Sequence, residues 1–193
     1  MQKNVTAEVN GNISVNRWLG SMAELGKLRN VVFCGLMAAI AVALGYVTSI
    51  QLGPYIKVGF SGYPNQIVAC FFGPAVGAIF GAVLDILKWF VKPTGAFFPG
   101  FTISAALGGI IYGFAFYKKK ITVARVFAAH LIVTIFVNIC LNTLWLTMFY
   151  DQAAMAILPA RVIKNACMLP VDTFITYSLL KAMERTIKPL LQD

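Results

Sequence analysis

Three groups of residues in this chain combine charge, amide and aromatic chemistry at helical spacing. Asp85, Lys88 and Trp89 stand at i, i+3 and i+4. Asn138, Asn142 and Trp145 share one helical face at about 100° per residue, and so do Arg161, Lys164, Asn165, Met168 and Asp172. Carboxylate and amide groups hydrogen-bond the edge of a flat heterocycle, and Asn supplies both donor and acceptor. Trp89, Trp145, Tyr63, Phe97 and Phe98 offer ring faces for stacking. Arg161 and the lysines Lys88 and Lys164 can neutralise carboxylates, arginine through a two-pronged fork. The set fits a planar ring bearing an anionic tail. One such stripe is packing; three imply a shared pocket.

Capture, not catalysis, is the chemistry expected. There is no GxxxxGK[ST] loop for nucleotide phosphates, no HExxH or GxSxG, and no carboxylate cluster at metal spacing. The single histidine, His130, falls near the start of an apolar span, where a structural role is expected. Cys34, Cys70, Cys140 and Cys167 lie in apolar stretches without CxxC spacing, so neither a metal site nor a disulfide framework is expected. No cofactor is expected.

The elements that position these residues are apolar and long. Of 193 residues, 59% are hydrophobic and 12% charged, against about 25% charged in a soluble domain. The apolar residues gather into runs of roughly 17 to 25, enough to cross a hydrocarbon core of about 30 Å. The expected fold is all-α, an integral membrane bundle of six transmembrane helices. The spans fall at about 31–50, a short run after Pro64 ending at Gly73-Pro74, 75–91, 101–117, 123–150 and 158–183. Residues 1–30 form a polar cytosolic lead-in with no signal-peptide core, and residues 31–188 form the membrane domain. The stretch from Gln51 to Tyr63 carries Gly53, Pro54, Gly59 and Gly62, so the first outward loop and the second helix are expected to be irregular. Broken helices at membrane depth point to a binding site.

Charge sets the orientation. Eleven of the sixteen Lys and Arg fall on one side of a six-helix arrangement: Lys3, Arg17, Lys27, Arg29, Lys118 to Lys120, Arg125, Lys181, Arg185 and Lys188. This places both termini in the cytosol. The exceptions are Lys57, Lys88, Lys92, Arg161 and Lys164. Snorkelling to the outer headgroups accounts for Lys57 and Lys92; Arg161 suits snorkelling and ligand binding equally. The +9 formal charge is thus a topological signal and not a nucleic-acid footprint. On the first span Gly35, Ala39 and Ala43 make a small-residue stripe that suits either internal packing or docking of another subunit.

Two segments carry a family resemblance. FPGFTISAALGGIIYGFAFYKKK (Phe98 to Lys120) and LPARVIKNACMLPVDTFITYSLL (Leu158 to Leu180) resemble the folate-specific substrate-binding subunits of energy-coupling-factor (ECF) vitamin transporters. The resemblance extends from about Lys27 to the C-terminus, and PARVIKN is its most specific part. It implies a six-helix subunit of the bacterial plasma membrane that captures folate from outside and performs no chemistry. It also implies partners, a transmembrane coupling subunit and two cytosolic ATPases, with Gly35, Ala39 and Ala43 similar to the family's docking face. Folate is a pterin joined to aminobenzoate and an anionic glutamate. Asp85, Asn138 and Asn142 would then read the pterin edge, with Trp89, Phe98 and Trp145 on its rings. Arg161, Lys164 or Lys88 would hold the glutamate, with Asn165 and Tyr63 also in the site. A sister subunit for riboflavin, thiamin or a precursor shares the architecture, and the basic outer cluster argues against thiamin. A self-sufficient secondary transporter would usually show internal repeats, and none is seen.

Overall fold

A computed structural model describes residues 16–48, 50–52, 56–93, 97–150 and 158–192. The lead-in up to residue 15, the Lys57 and Lys188 side chains and the middle of the loop after Val47 lie outside the described residues. The body is helical. A short helix α1 (16–24) precedes α2 (Leu28–Val47), and a small antiparallel hairpin follows, β1 (Ile50–Leu52) with β2 (Ile56–Val58). Then come α3 (Tyr63–Phe72), α4 (Pro74–Val91) and α5 (Pro99–Phe116). The long α6 is α-helical over Val123–Ile132, π-helical over Val133–Leu141 and α-helical again over Asn142–Tyr150. A 35-residue α7 (Leu158–Gln192) closes the order. The all-α expectation therefore holds for the body, and the hairpin adds local order to the loop expected to be irregular.

Among the described residues, four helices are long and apolar enough to cross a membrane: α2, α4, α5 and α6. The second helix is short as expected: α3 has 10 residues, about 15 Å at 1.5 Å each, half of a hydrocarbon core. Helix α7 is long enough but carries Arg161, Lys164 and Asp172 in its first half. Apolar side chains cover much of the outside: Val32, Leu36, Phe136 and Phe174 are more than half exposed. That inversion of the soluble pattern suits lipid.

Helix α5 is the hub, packed against α3, α4 and α6, while α7 lies on α6 and α3 and α2 rests on α3 and α4. Glycines allow α4 and α5 to touch backbone to backbone. A Cβ on Gly77 would come within 2.8 Å of Gly109 O, one on Gly81 within 2.6 Å of Ala105 O, and one on Gly109 would overlap the Gly77 carbonyl. In lipid, where no hydrophobic gain drives helix association, such close approach supplies the van der Waals contact. A buried polar chain ties four helices at the centre. Thr176 of α7 donates to Gln66 Oε1 at 2.7 Å, so it accepts from His130 Nε2 at 3.0 Å, which leaves His130 Nδ1 to accept from Tyr112 Oη at 3.2 Å. His130 is thus a structural residue, 5% exposed.

The break between α3 and α4 is held from outside by α1. Gly73 adopts φ +93°, a conformation that favours glycine, and Pro74 opens α4 without needing an N–H partner. Ser21 of α1, fully buried, donates to Phe72 O at 2.6 Å and accepts from Val76 N at 3.1 Å. It caps α3 and α4 at once, from 51 residues away in sequence. Ser21→Ala should cost about 1–2 kcal/mol of stability, as lost caps do, read as a lower midpoint in thermal unfolding in detergent; Ser21→Thr should retain most of it.

Candidate functional site

The expected site residues occupy the ends of α4, α6 and α7 remote from the lysine run at 118–120. Asp85 of α4 is half-buried and its Oδ2 accepts from Thr102 Oγ1 of α5 at 2.8 Å. An ionised carboxylate has about four acceptor positions, so one bond leaves capacity for a ligand. Lys88, one turn on, donates to Ser61 O at 2.8 Å, clamping the segment before α3 to α4. Trp89 meets Phe97 edge to face at 5.4 Å between centroids. The i, i+3, i+4 trio therefore addresses three different neighbours.

Helix α5 links α4 to α6. Ser104, 3% exposed, accepts from Trp145 Nε1 at 3.1 Å, and the Trp145 ring meets Phe98 edge to face at 5.5 Å. Gly100 makes room for both: an added Cβ would overlap the Phe98 ring and lie 2.7 Å from Trp145. Phe98 also contacts Phe101 at 5.9 Å. Two half-buried rings, Phe98 and Trp145, thus meet above the first turn of α5.

Helix α6 does not turn uniformly. Residues 133–141 are π-helical, so i→i+5 bonds add a residue per turn and the 100° rule does not run through Asn138. The asparagines still meet, Asn142 Nδ2 lying 3.5 Å from Asn138 Oδ1, while Trp145 is turned to α5. Asn142 Oδ1 is buried and has no hydrogen-bond partner among the described residues. Leaving a buried acceptor unmet costs about 1–3 kcal/mol, so such an atom is a natural seat for a ligand donor or a water. Asn65 Oδ1 on α3 is in the same condition.

On α7, Arg161, Lys164 and Asn165 are all half-buried, and Arg161 and Asp172 both act electrostatically on Lys164. Tyr63, 8% exposed, donates to Asp172 Oδ1 at 2.7 Å, joining the start of α3 to α7. Phe60 stacks on the Tyr63 ring at 5.9 Å. Asp172 is the residue whose weight sequence reasoning missed: placed on the α7 face, it was not expected to anchor Tyr63. A carboxylate in an apolar span was the available signal. Thr102, Ser104 and Asn65 carried no such signal, since hydroxyls and amides within helices most often bond their own backbone. Among the described residues no cluster of His, Cys, Asp or Glu could hold a metal ion.

The small-residue stripe faces outward. Gly35, Ala39 and Ala43 are exposed, a Cβ on Gly35 would meet nothing within 4 Å, and with Tyr46, Leu87 and Val91 they line an open apolar groove between α2 and α4.

Apolar helices with lipid-suited outer faces, around an interior that holds carboxylate, amide, guanidinium and indole groups, define a multi-pass membrane protein with a polar interior. Residues 29–180 match the family described as ECF transporter, substrate-specific component, and the chain belongs to that family. It is a transport component, not an enzyme. Relatives named folate transporter FolT occur in Clostridium novyi (strain NT), 36% identical over 82% of this chain and 92% of the relative, and in Leuconostoc mesenteroides, 33% identical over 79% and 84%. A solved structure described as FolT bound with folic acid is similar at a TM-score of 0.75 and 32% identity. It covers 81% of this chain and 95% of its own.

Proposed function

We propose that this protein captures folate at the outer face of the bacterial plasma membrane and delivers it to an ATP-driven ECF complex. The observation that carries the reading is the similarity, over about four-fifths of the chain, to a solved folate-binding relative. In this reading the chain crosses the membrane six times with both termini in the cytosol. Helix α3 serves as a half-length second crossing and α7 as the sixth. The exposed groove at Gly35, Ala39 and Ala43 receives the coupling subunit, which in turn engages two ATPases. Its shallow apolar surface suits close helix packing.

The site chemistry supports folate in detail. Asp85, Asn138 and Asn142 hydrogen-bond the pterin edge, and the unmet Asn142 Oδ1 accepts from it. Trp145, Phe98 and Trp89 pack on the rings. Arg161 and Lys164 hold the glutamate carboxylates, aided by Lys88, with Asn165 beside them and Tyr63 holding α3 to α7. Charge-assisted bonds contribute about 1.5–3 kcal/mol. Arg161→Gln should therefore weaken folic acid binding roughly 10- to 100-fold. Pteroate, which lacks the glutamate, should bind wild type and variant alike. Equal losses for the two ligands, by calorimetry, would remove Arg161 from the tail.

A further inference from the structure

The lysine-rich end of the bundle holds a cavity, at the end opposite the proposed folate site. Its volume is about 640 Å³, and it is half-open, bordered by the end of α1, the start of α2, the end of α3, the turn after α5 and Glu184 of α7. Phe71, Phe72 and Phe116 give it an apolar lining, while Lys27, Lys118, Lys119 and Lys120 make it basic. Four lysines meet two carboxylates, Glu24 and Glu184. Glu24 is already engaged, at 3.4 Å from Lys27 and 2.8 Å from Asn30 Nδ2. Positive charge therefore exceeds what the cavity itself can neutralise.

One further observation points to a ligand. Tyr117 is 3% exposed and lines the cavity, yet its Oη has no hydrogen-bond partner among the described residues. Lys118 holds φ +53°, a left-handed backbone that a non-glycine residue seldom adopts. That turn follows the end of α5, where exposed carbonyls would repel an anion, but Lys119 Nζ already caps Phe114 O at 2.7 Å. Burial, with Arg17 and Arg125 nearby, holds the Lys119 ammonium below its ordinary pKa.

We propose that this cavity seats the phosphate headgroup of an anionic phospholipid, with Tyr117 Oη donating to a phosphate oxygen and Lys27, Lys118 and Lys120 neutralising it. A lipid, and not a free anion, is favoured by the neighbourhood. Leu19 and Met22 of α1 and Leu28 of α2 are 63%, 53% and 79% exposed, an apolar border on which acyl chains can lie. Basic pockets at helix ends beside apolar borders are suited to anionic headgroups. The bound lipid would also fasten α1, whose Ser21 caps α3 and α4.

The test uses the full chain, stripped of lipid in neutral detergent, with thermal unfolding and native mass spectrometry as readouts. Phosphatidylglycerol at saturation should raise the melting temperature by roughly 5 °C; phosphatidylcholine and 10 mM inorganic phosphate, at roughly that concentration, should not. Lys118→Gln with Lys120→Gln should weaken phosphatidylglycerol binding roughly 30-fold, from about 1 kcal/mol per lysine. Tyr117→Phe should weaken it roughly 10-fold. Lys181→Gln with Arg185→Gln, a basic pair outside the cavity, should change it less than about two-fold. Should the double lysine variant fail to accumulate, Tyr117→Phe carries the test alone. Equal binding of the two lipids would overturn the proposal. So would the same shift with phosphate alone, which would mark a soluble-anion site, or an equal loss from the control pair, which would mark diffuse attraction.

Discussion

Replacing Asp85 with Ala is expected to weaken folic acid binding roughly 10- to 150-fold, the equivalent of about 1.5–3 kcal/mol for a hydrogen bond to a charged group. The carboxylate is half-buried on α4, and Thr102 occupies one of its acceptor positions. The remaining capacity suits the amino and ring N–H donors of a pterin, which bond best to an ionised acceptor. Asp85→Asn keeps the shape and offers a donor where an acceptor is needed, so it should lose nearly as much. Thr102→Val removes the hydroxyl that orients Asp85 and should cost less, about 1 kcal/mol or roughly five-fold. Calorimetric titration of the three variants, each checked for a monodisperse folded state, reads the order directly. A Thr102→Val loss larger than that of Asp85→Ala would mean that Asp85 serves the α4–α5 contact and not the ligand.

A larger effect on the protein itself is expected at Gly109. In wild type the α4 and α5 backbones meet there, and any Cβ would collide with the Gly77 carbonyl, a neighbour that cannot rotate away. Overpacking of this kind costs about 1–3 kcal/mol in ordinary cores; with backbone as the obstacle, Gly109→Leu should prevent accumulation of folded protein in the membrane. Gly108→Ala, at a neighbouring glycine whose Cβ would meet nothing within 4 Å, should be tolerated. Size-exclusion profiles of the two variants in detergent distinguish them. Similar profiles would show that α4 and α5 can separate without loss.

How far this architecture can be read from sequence depends on the kind of signal each part carries. Length and hydropathy located α2, α4, α5 and α6 because a membrane span is written as an uninterrupted apolar run. Gly73-Pro74 announced the short α3 through residues that cannot continue a helix. What decides how that break is stabilised, Ser21 on α1, lay outside any local pattern, since a side chain capping two helices from 51 residues away leaves no periodicity. The polar stripes were legible as types, and Asn138 with Asn142 do meet. Their aim was not legible, because the π-helical stretch 133–141 changes the turn angle without a composition signal. Partners supplied by α5 were hidden for a related reason. Thr102 and Ser104 are ordinary hydroxyls in a helix until α4 and α6 are brought against them.

One titration decides whether the isolated chain is a folate-binding subunit. The purified protein in detergent is titrated with folic acid, riboflavin and thiamin, following heat and the fluorescence of its three tryptophans, two of which, Trp89 and Trp145, lie in the proposed site. Saturable one-to-one binding of folic acid, with a fluorescence change, and no saturable response to the other two is the expected result. A folded, monodisperse sample that ignores folic acid, or that binds riboflavin or thiamin in its place, would contradict it.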